Sequence, residues 1–128
     1  MRLLLDTHIV LWRLTADPRL PKRAVEIMDH EALSIDVSTI SIWEVAIKWA
    51  LRKGRPDDMP VSGQAFLKEL ERALIAPLPV QPIHAAAVDD LPMLHNDPFD
   101  RFLIATARHE GMTLLTCDAA LGGYGDFV

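Results

Sequence analysis

The chain has 128 residues, which fits one domain, because globular domains cluster at roughly 100 to 150 residues. Half of its residues are apolar and 24% are charged, which excludes the apolar-poor composition of disordered chains. The formal net charge of -5 at pH 7 argues against a protein that binds nucleic acid through a broadly basic surface.

Apolar runs alternate with segments of helical period, which predicts an α/β protein with a single domain over residues 1–128. Residues 3–5 predict a buried strand, residues 21–31 a helix and residues 33–37 a second strand. Residues 40–53 predict a helix with two apolar stripes, called here the double-striped helix. In so small a protein we expect one stripe to face a second copy of the chain or another partner.

The second half of the chain continues the alternation of helices and strands. A loop at residues 54–58, with Gly54 and Pro56, ends the double-striped helix. The remaining predicted elements are a helix over residues 62–73 with Phe66, Leu67, Leu70 and Leu74 on its apolar face, a short irregular strand within residues 75–80, a helix from Pro82 to about residue 91, a helix over residues 98–110 between Asp97 and Gly111, a strand over residues 113–116 and an edge strand at residues 127–128.

The cellular compartment is suggested by two features of the sequence. Cys117 is the sole cysteine, so an intrachain disulfide is excluded and nothing points to an oxidising compartment. Asp6 interrupts the first apolar run, and no run approaches the roughly 18 residues of a membrane span. We therefore expect a cytoplasmic protein without a membrane contact.

Four carboxylates stand at junctions between predicted elements: Asp6, Glu44, Asp100 and Asp118. In a parallel sheet the strands end at one edge and the following helices begin there, so these acids can meet in space. Carboxylates that lie within a few ångströms of one another need a cation to balance their charge. Oxygen ligands suit Mg²⁺ or Mn²⁺, and the absence of a Cys/His cluster in the sequence argues against zinc.

Each of these acids also has a purely structural interpretation, as a helix cap or a first-turn residue. Asp97 followed by Pro98 is typical of a helix start and needs no chemistry to explain it. Glu44 would complete a capping box with Ser41 if the helix began there, but not if it began at Ser38 or Thr39. Spacing alone leaves the metal site and the caps about equally favoured.

Four motifs decide between these interpretations: LLDTH at residues 4–8, SIWE at 41–44, HNDPFDRFLIATA at 95–107 and TCD at 116–118. In this order and spacing they resemble the PIN domain, specifically the VapC-type toxins of bacterial toxin–antitoxin pairs, over essentially the whole chain. The resemblance implies a central, mostly parallel sheet of four to five short strands with helices on both faces. It also implies a homodimer and a Mg²⁺-dependent endoribonuclease that a cognate antitoxin inhibits.

The resemblance also assigns roles to individual residues. Asp6 and Asp100 are expected as direct metal ligands, with Mg²⁺ or Mn²⁺ as the ion. Cys117 is expected to be a partly buried small side chain rather than a nucleophile. The resemblance gives a catalytic, metal-binding quartet of Asp6, Glu44, Asp100 and Asp118, with Thr7 and Thr116 as supporting hydroxyls and Asp97 as a cap or outer group.

RNA affinity must come from basic residues, because the expected site is acidic. The end of the double-striped helix carries a basic stretch, which could bind phosphate or simply suit the dipole at a helix C-terminus. His95 and Arg101 flank the third motif and could also contact a phosphate. The candidate RNA-binding residues are Lys48, Arg52, Lys53, Arg55 and Arg101.

Three tryptophans, Trp12, Trp43 and Trp49, are expected to help form a groove for the antitoxin or the second subunit. Three alternative functions remain beside the toxin hypothesis. One is a catalytically silent α/β interaction module that uses its acids only as caps, and another is a PIN nuclease of RNA processing. A phosphate-accepting receiver domain is disfavoured, because the sequence lacks the acidic pair and the lysine that such a site requires.

Overall fold

The computed structural model describes residues 1–94 and 96–118, and within them four parallel strands form one sheet. Strand β1 is central, with Leu3 paired to Ile35 on one side and Leu4 paired to Leu114 on the other. This confirms the expected parallel sheet of four strands, while the strand predicted at residues 127–128 lies outside the described residues. The strands are β1 (Arg2–Leu5), β2 (Ser34–Ser38), β3 (Pro77–Leu78) and β4 (Thr113–Leu115), in the order β3-β2-β1-β4.

The helices fill the segments between these strands. The longest, α6, has 13 residues, and no helix in the described part of the chain is long and apolar enough to cross a membrane. They are α1 (Thr7–Leu14), α2 (Lys22–Glu26, continued by a π-helical turn at Ile27–Glu31), α3 (Thr39–Ala50), α4 (Gly63–Arg72), α5 (Pro82–Ala87, continued by a 3₁₀ turn at Val88–Asp90) and α6 (Pro98–Glu110).

Two apolar cores lie on opposite faces of the sheet, because successive side chains of β1 point in opposite directions. Leu3 and Leu5 pack on one face with buried residues of α1, α2, α3 and α4. Leu4 packs on the other face with Leu103, Ile104 and neighbouring residues of α6. Helices therefore cover both faces of the sheet, as the sequence predicts.

Helix α3 ends three residues earlier than the predicted double-striped helix. The carboxylate of Asp58 accepts hydrogen bonds from the backbone N–H of Lys53 at 2.9 Å and of Arg55 at 2.8 Å. These bonds hold the chain in a loop, with Gly54 at a φ of 79° between the two donors. The side chain of Asp58, eight residues beyond the end of α3, thus holds the loop that follows the helix.

The other predicted helices lie close to their expected positions, but two leucines differ from the prediction. Ser62 caps α4 by accepting from the N–H of Ala65 at 3.1 Å, and Phe66 and Leu70 are buried as predicted. Leu74 was expected on the same apolar face, but it lies beyond the end of α4 in the left-handed region and is 93% exposed. Leu33 is likewise exposed and precedes β2 rather than belonging to it.

Helices α3 and α4 approach closely at one glycine. A Cβ atom placed on Gly63 would lie 2.8 Å from the Cβ of Ala46, well inside van der Waals contact. Any larger residue at position 63 would therefore push α4 away from α3. This contact fixes the outer side of α3, whose inner side faces the site described below.

A buried histidine ties α5 to α6. The ring of His84 is 1% exposed, and its Nε2 lies 2.7 Å from Oε1 of Glu110. Its Nδ1 accepts from the backbone N–H of Gln81 at 3.3 Å, so both ring nitrogens have a partner. The hydrogen bond with His84 lowers the pKa of Glu110 below its ordinary value.

We expect Glu110→Gln to lower the stability of the protein in a pH-dependent way. Because the pKa of Glu110 is lower in the folded chain, ionised Glu110 stabilises the fold above about pH 4.5, and this contribution disappears as the pH falls below that value. Urea unfolding at pH 7 and at pH 3.5 measures the difference from wild type. Glu71→Gln, at an exposed position of α4, should show no such pH dependence.

Candidate functional site

Asp6 lies where β1 ends and α1 begins. Its backbone N–H donates to the carbonyl of Leu115 in β4 at 2.9 Å, which extends the pairing of the two strands by one residue. Asp6 occupies the N-cap position of α1, yet its side chain makes no capping hydrogen bond. Instead Oδ2 accepts from the hydroxyl of Thr116 at 2.7 Å, and the residue is only 6% exposed. The structural interpretation of Asp6 as a helix cap is therefore wrong.

Glu44 is buried on the inner side of α3. The helix begins at Thr39 with Ser38 as its cap, so Glu44 is not part of a capping box with Ser41. Its Oε1 accepts from the hydroxyl of Thr7 at 2.7 Å, and the oxygens of Thr7 and Ser41 lie 2.9 Å apart. Glu44 is 2% exposed, so a carboxylate without a capping role is held inside the protein by hydroxyls.

Lys48 supplies a positive charge to the same place. Its Nζ lies 2.5 Å from Oε2 of Glu44, one helical turn earlier. Burial disfavours the ammonium group, but the hydrogen bond and the charge of Glu44, with smaller contributions from Asp97 and Asp100, raise the pKa of Lys48 overall. Lys48 therefore remains protonated beside the acids.

Two further acids come from the start of α6. Asp97 caps this helix, accepting at Oδ1 from the N–H of Phe99 at 2.8 Å and of Asp100 at 3.2 Å. This confirms the cap that the Asp-Pro pair predicts. Asp100 lies in the first turn of α6, and its charge acts on Lys48.

Asp118 follows β4, as Asp6 follows β1. Its backbone N–H donates to the hydroxyl of Thr116 at 3.1 Å, and the same hydroxyl donates to Asp6. Thr116 thus links the chain segments that follow two neighbouring strands. Both predicted supporting hydroxyls, Thr7 and Thr116, contact a predicted acid.

These side chains line one open cleft of about 450 Å³. Within residues 1–94 and 96–118, however, no three His, Cys, Asp or Glu side chains are placed closely enough to hold a metal ion. The four acids therefore line one cleft, but their carboxylates are not gathered around a single point. The lining residues, here called the acid cleft, are Asp6, His8, Trp12, Glu44, Lys48, Asp97, Asp100, Cys117 and Asp118.

The donor chemistry of the acid cleft fits a hard divalent cation. Burial raises the pKa of Asp6, and the nearby charge of Glu44 raises it further. The hydrogen bond from Thr116 and the charge of His8 lower it, but the pKa remains above its ordinary value. A cation beside Asp6 would favour its ionised form. Carboxylate oxygens are the ligands that Mg²⁺ and Mn²⁺ prefer, so the residues present suit such an ion.

Sequence reasoning missed the roles of His8 and Trp12 in the lining of the cleft. Both lie on α1, four residues apart on one side of the helix, and their rings are 5.8 Å apart. The helix itself was not predicted as an element, so its period could not point to them. Lys48 was placed in a surface patch, although its spacing of four residues from Glu44 is the signal for an ion pair on a helix.

Three basic residues near the end of α3 lie outside the cleft. Arg52 places its guanidinium 3.7 Å from the ring centroid of Trp49 and donates to the carbonyl of Trp49 at 2.8 Å. Lys53 and Arg55 lie in the exposed loop held by Asp58. The predicted basic stretch is therefore divided, with Lys48 alone in the acid cleft.

The structure contradicts the expected placement of Arg101. Its side chain is buried, with 9% exposure, and donates to the carbonyls of Pro92 at 3.0 Å and Val88 at 3.3 Å. It therefore holds the segment before α6 and does not offer its guanidinium to a phosphate. The other flanking residue, His95, lies outside the described residues.

Two expectations about apolar side chains also fail. Cys117 is exposed, not partly buried. Trp43 and Trp49 line a groove of about 690 Å³ beside α4, while Trp12 lines the acid cleft, so the three tryptophans do not share one groove. Trp43 is 58% exposed in that groove.

Comparison with known proteins extends this description. The family model of the PIN domain matches residues 3–125. No curated protein matches the chain. The fold is similar to VapBC2 from Rickettsia felis bound to a DNA fragment from their promoter, with a TM-score of 0.66, 15% identity and coverage of 97% of this chain and 93% of that chain. It is also similar to FitAcB from Neisseria gonorrhoeae, with a TM-score of 0.62, 22% identity and coverage of 92% and 88%.

We expect Thr7→Val to destabilise the protein by about 1–3 kcal/mol, because it leaves a buried carboxylate oxygen of Glu44 without its hydroxyl donor. Urea unfolding measures the loss. Thr106→Val is the matched control, because the hydroxyl of Thr106 is also buried but bonds only to the carbonyl of its own helix at Phe102. Equal losses for the two variants would contradict a specific role for the hydroxyl of Thr7.

We expect Arg101→Lys to cost about 1.5–3 kcal/mol of stability and to leave RNA affinity unchanged, because its guanidinium bonds to backbone carbonyls. Urea unfolding and fluorescence anisotropy with labelled RNA measure the two effects. Arg72→Lys, in an exposed ion pair with Glu69, should change stability by less than about 0.5 kcal/mol. Weaker RNA binding by Arg101→Lys at unchanged stability would restore the original expectation.

Proposed function

This chain belongs to the PIN domain family, and from that membership and the acid cleft we propose that it is a nuclease. More specifically, it is a divalent-metal-dependent endoribonuclease and the toxin of a toxin–antitoxin pair. The observation that carries the proposal is that four acids line one cleft, two of them in α3 and α6 and two in the segments that follow β1 and β4. Two of them, Asp6 and Glu44, are buried against hydroxyl donors instead of acting as caps.

The donor set supports a metal role for these acids. Asp6 and Asp100 would hold the ion directly, and Glu44 and Asp118 would hold a second ion or orient the attacking water. A divalent ion bound there supplies positive charge that stabilises the phosphate and acidifies water. Mg²⁺ is the expected ion, with Mn²⁺ as a substitute.

The chain's own residues orient the reaction. Thr116 fixes one oxygen of Asp6, and Thr7 fixes one oxygen of Glu44, so both carboxylates keep their direction when the substrate enters. Lys48 brings an ammonium group to the cleft, where it balances acid charge and attracts the phosphate backbone. Attack by water rather than by the ribose 2′-hydroxyl leaves a 5′-phosphate and a 3′-hydroxyl.

Partners are proposed from the same family membership. VapBC2 from Rickettsia felis is bound to a DNA fragment from their promoter, and this similarity supports a cognate antitoxin as partner of this chain as well. The groove with exposed Trp43 offers an apolar surface on α3 for the second copy of a homodimer. RNA as substrate and the cytoplasm as location complete the proposal.

We expect Asp6→Asn and Asp100→Asn each to lower RNA cleavage by at least about 100-fold, because each removes a charged ligand. Asp6→Asn should not lower the melting temperature, because the amide oxygen still accepts from Thr116 and a buried charge is removed. Cleavage of labelled single-stranded RNA, with end-group analysis of the products, and thermal melts in EDTA measure these effects.

Two variants serve as controls for that experiment. Asp89→Asn changes an exposed acid of the turn after α5 and should leave cleavage unchanged. Asp97→Asn preserves the helix cap, because Asn caps as well as Asp, and so separates the cap from any role of the charge. Cleavage that persists in excess EDTA, products with a cyclic phosphate, or full activity of Asp6→Asn would contradict the metal-dependent mechanism. A folded wild type that cleaves no RNA would favour the silent interaction module instead.

A further inference from the structure

A second groove adjoins the acid cleft and has no role in the proposed chemistry. It has a volume of about 730 Å³ and lies between α1, the segment that follows α1, and the loop after α3. His8, Trp12 and Lys48 line both spaces, so the groove opens directly into the cleft. We call it the Trp12 groove, lined by residues of α1 with 15–19 on one side and by Lys48, Leu51 and residues 56–60 on the other.

The planar side chains of Arg19 and His8 lie close to the ring of Trp12 in this groove. The guanidinium of Arg19 lies 5.3 Å from the centroid of the Trp12 ring, and the tilted ring of His8 lies 5.8 Å from it. Asp17 fixes Arg19 through hydrogen bonds of 3.1 Å to Nε and 2.8 Å to Nη2. The guanidinium plane is therefore held beside the ring before any ligand arrives.

Three acids line the groove beside Arg19 and Lys48; Asp57 is exposed to solvent, and the other two are engaged by donors of the protein. Asp17 is paired with Arg19, and the carboxylate of Asp58 accepts from two backbone N–H groups of its own loop. Lys48 lines both the groove and the acid cleft, and so stands at the boundary between them. A phosphate of a bound nucleic-acid strand at that boundary would contact the ammonium group of Lys48, and the adjacent nucleotide would contact Trp12.

We propose that the Trp12 groove holds the base of a nucleotide next to the scissile phosphate, stacked on Trp12 and contacted by Arg19. The inference rests on the proposed ribonuclease function. Aromatic rings and arginine planes are the surfaces on which proteins stack unpaired bases, and the volume suits a ligand of this size. Because every base has a flat face, the groove selects single-stranded RNA over duplex rather than one base over another.

Binding without catalysis tests the groove directly. The probe is a fluorescein-labelled single-stranded RNA with one mapped cleavage site, bound to the protein in excess EDTA and followed by anisotropy. We expect Trp12→Ala to weaken binding at least 5-fold, the lower limit for loss of one stacked base, and Trp12→Phe to restore most of the affinity. Leu33→Ala removes an exposed apolar side chain that precedes β2 and lines neither groove, and it should leave the affinity unchanged.

Arg19→Ala is a second test of the groove, independent of whether the tryptophan variants fold. Its side chain is 69% exposed, so the fold should tolerate the change, while the platform loses one of its two planes. We expect Arg19→Ala to weaken RNA binding by about 3-fold or more, in line with one lost cation–π contact. Thermal melts of each variant report whether the fold is retained.

An abasic scan locates the base in the groove. In wild type, removal of one base next to the cut should raise KM for cleavage at least 5-fold, and in Trp12→Ala the same removal should have no further effect. If folded Trp12→Ala and Arg19→Ala bind and cleave like wild type with the same abasic profile, the groove proposal is overturned and the nuclease proposal stands. If wild type cleaves no RNA and Asp6→Asn changes nothing, both proposals fail.

Discussion

The burial of two carboxylates side by side is the constraint on which the rest of the acid cleft depends. Asp6 and Glu44 are almost inaccessible to water, and burial together with the charge of Glu44 raises the pKa of Asp6. Hydroxyl donors offset part of this cost, and they come from residues 110 positions from Asp6 and 37 positions from Glu44 along the chain. The tertiary fold, and not local sequence, therefore keeps these acids in the protein.

The residue at which helix α3 begins determines where Glu44 lies in the helix. Because Ser38 caps the helix, Glu44 lies in the second turn, where no backbone donor needs its carboxylate. The next turn brings Lys48 over the same acid. The opposite side of the helix is fixed by the contact of Ala46 with Gly63, so the inward position of Glu44 is set from both sides.

Much of this arrangement could be predicted from the sequence because it is encoded locally. The apolar strands, the Asp97 cap, the Gly111 end of α6 and the meeting of acids at one edge of a parallel sheet all follow from short patterns. Helix α1 could not be recognised, because an apolar run of this length is typical of a strand as well as of a short helix.

Other features carry no local signal at all. Arg101 is buried against the carbonyls of Val88 and Pro92, and backbone acceptors in a loop leave no mark in the sequence. Charged residues are seldom buried, so an exposed, phosphate-binding arginine was the natural expectation. The separation of Trp12 from Trp43 has the same origin, because the direction of a tryptophan depends on how its helix packs.

The hydrogen bond between Thr116 and Asp6 has a consequence for the order of events during protein synthesis. A ribosome delivers β1 and α3 first, so Asp6 and Glu44 emerge while Asp100, Thr116 and Asp118 are still to be added. The central strand β1 lacks its neighbour β4 until residues 113–115 have been translated. A nascent chain therefore carries only half of the four acids until α6 and β4 have been translated, and the cleft forms after that.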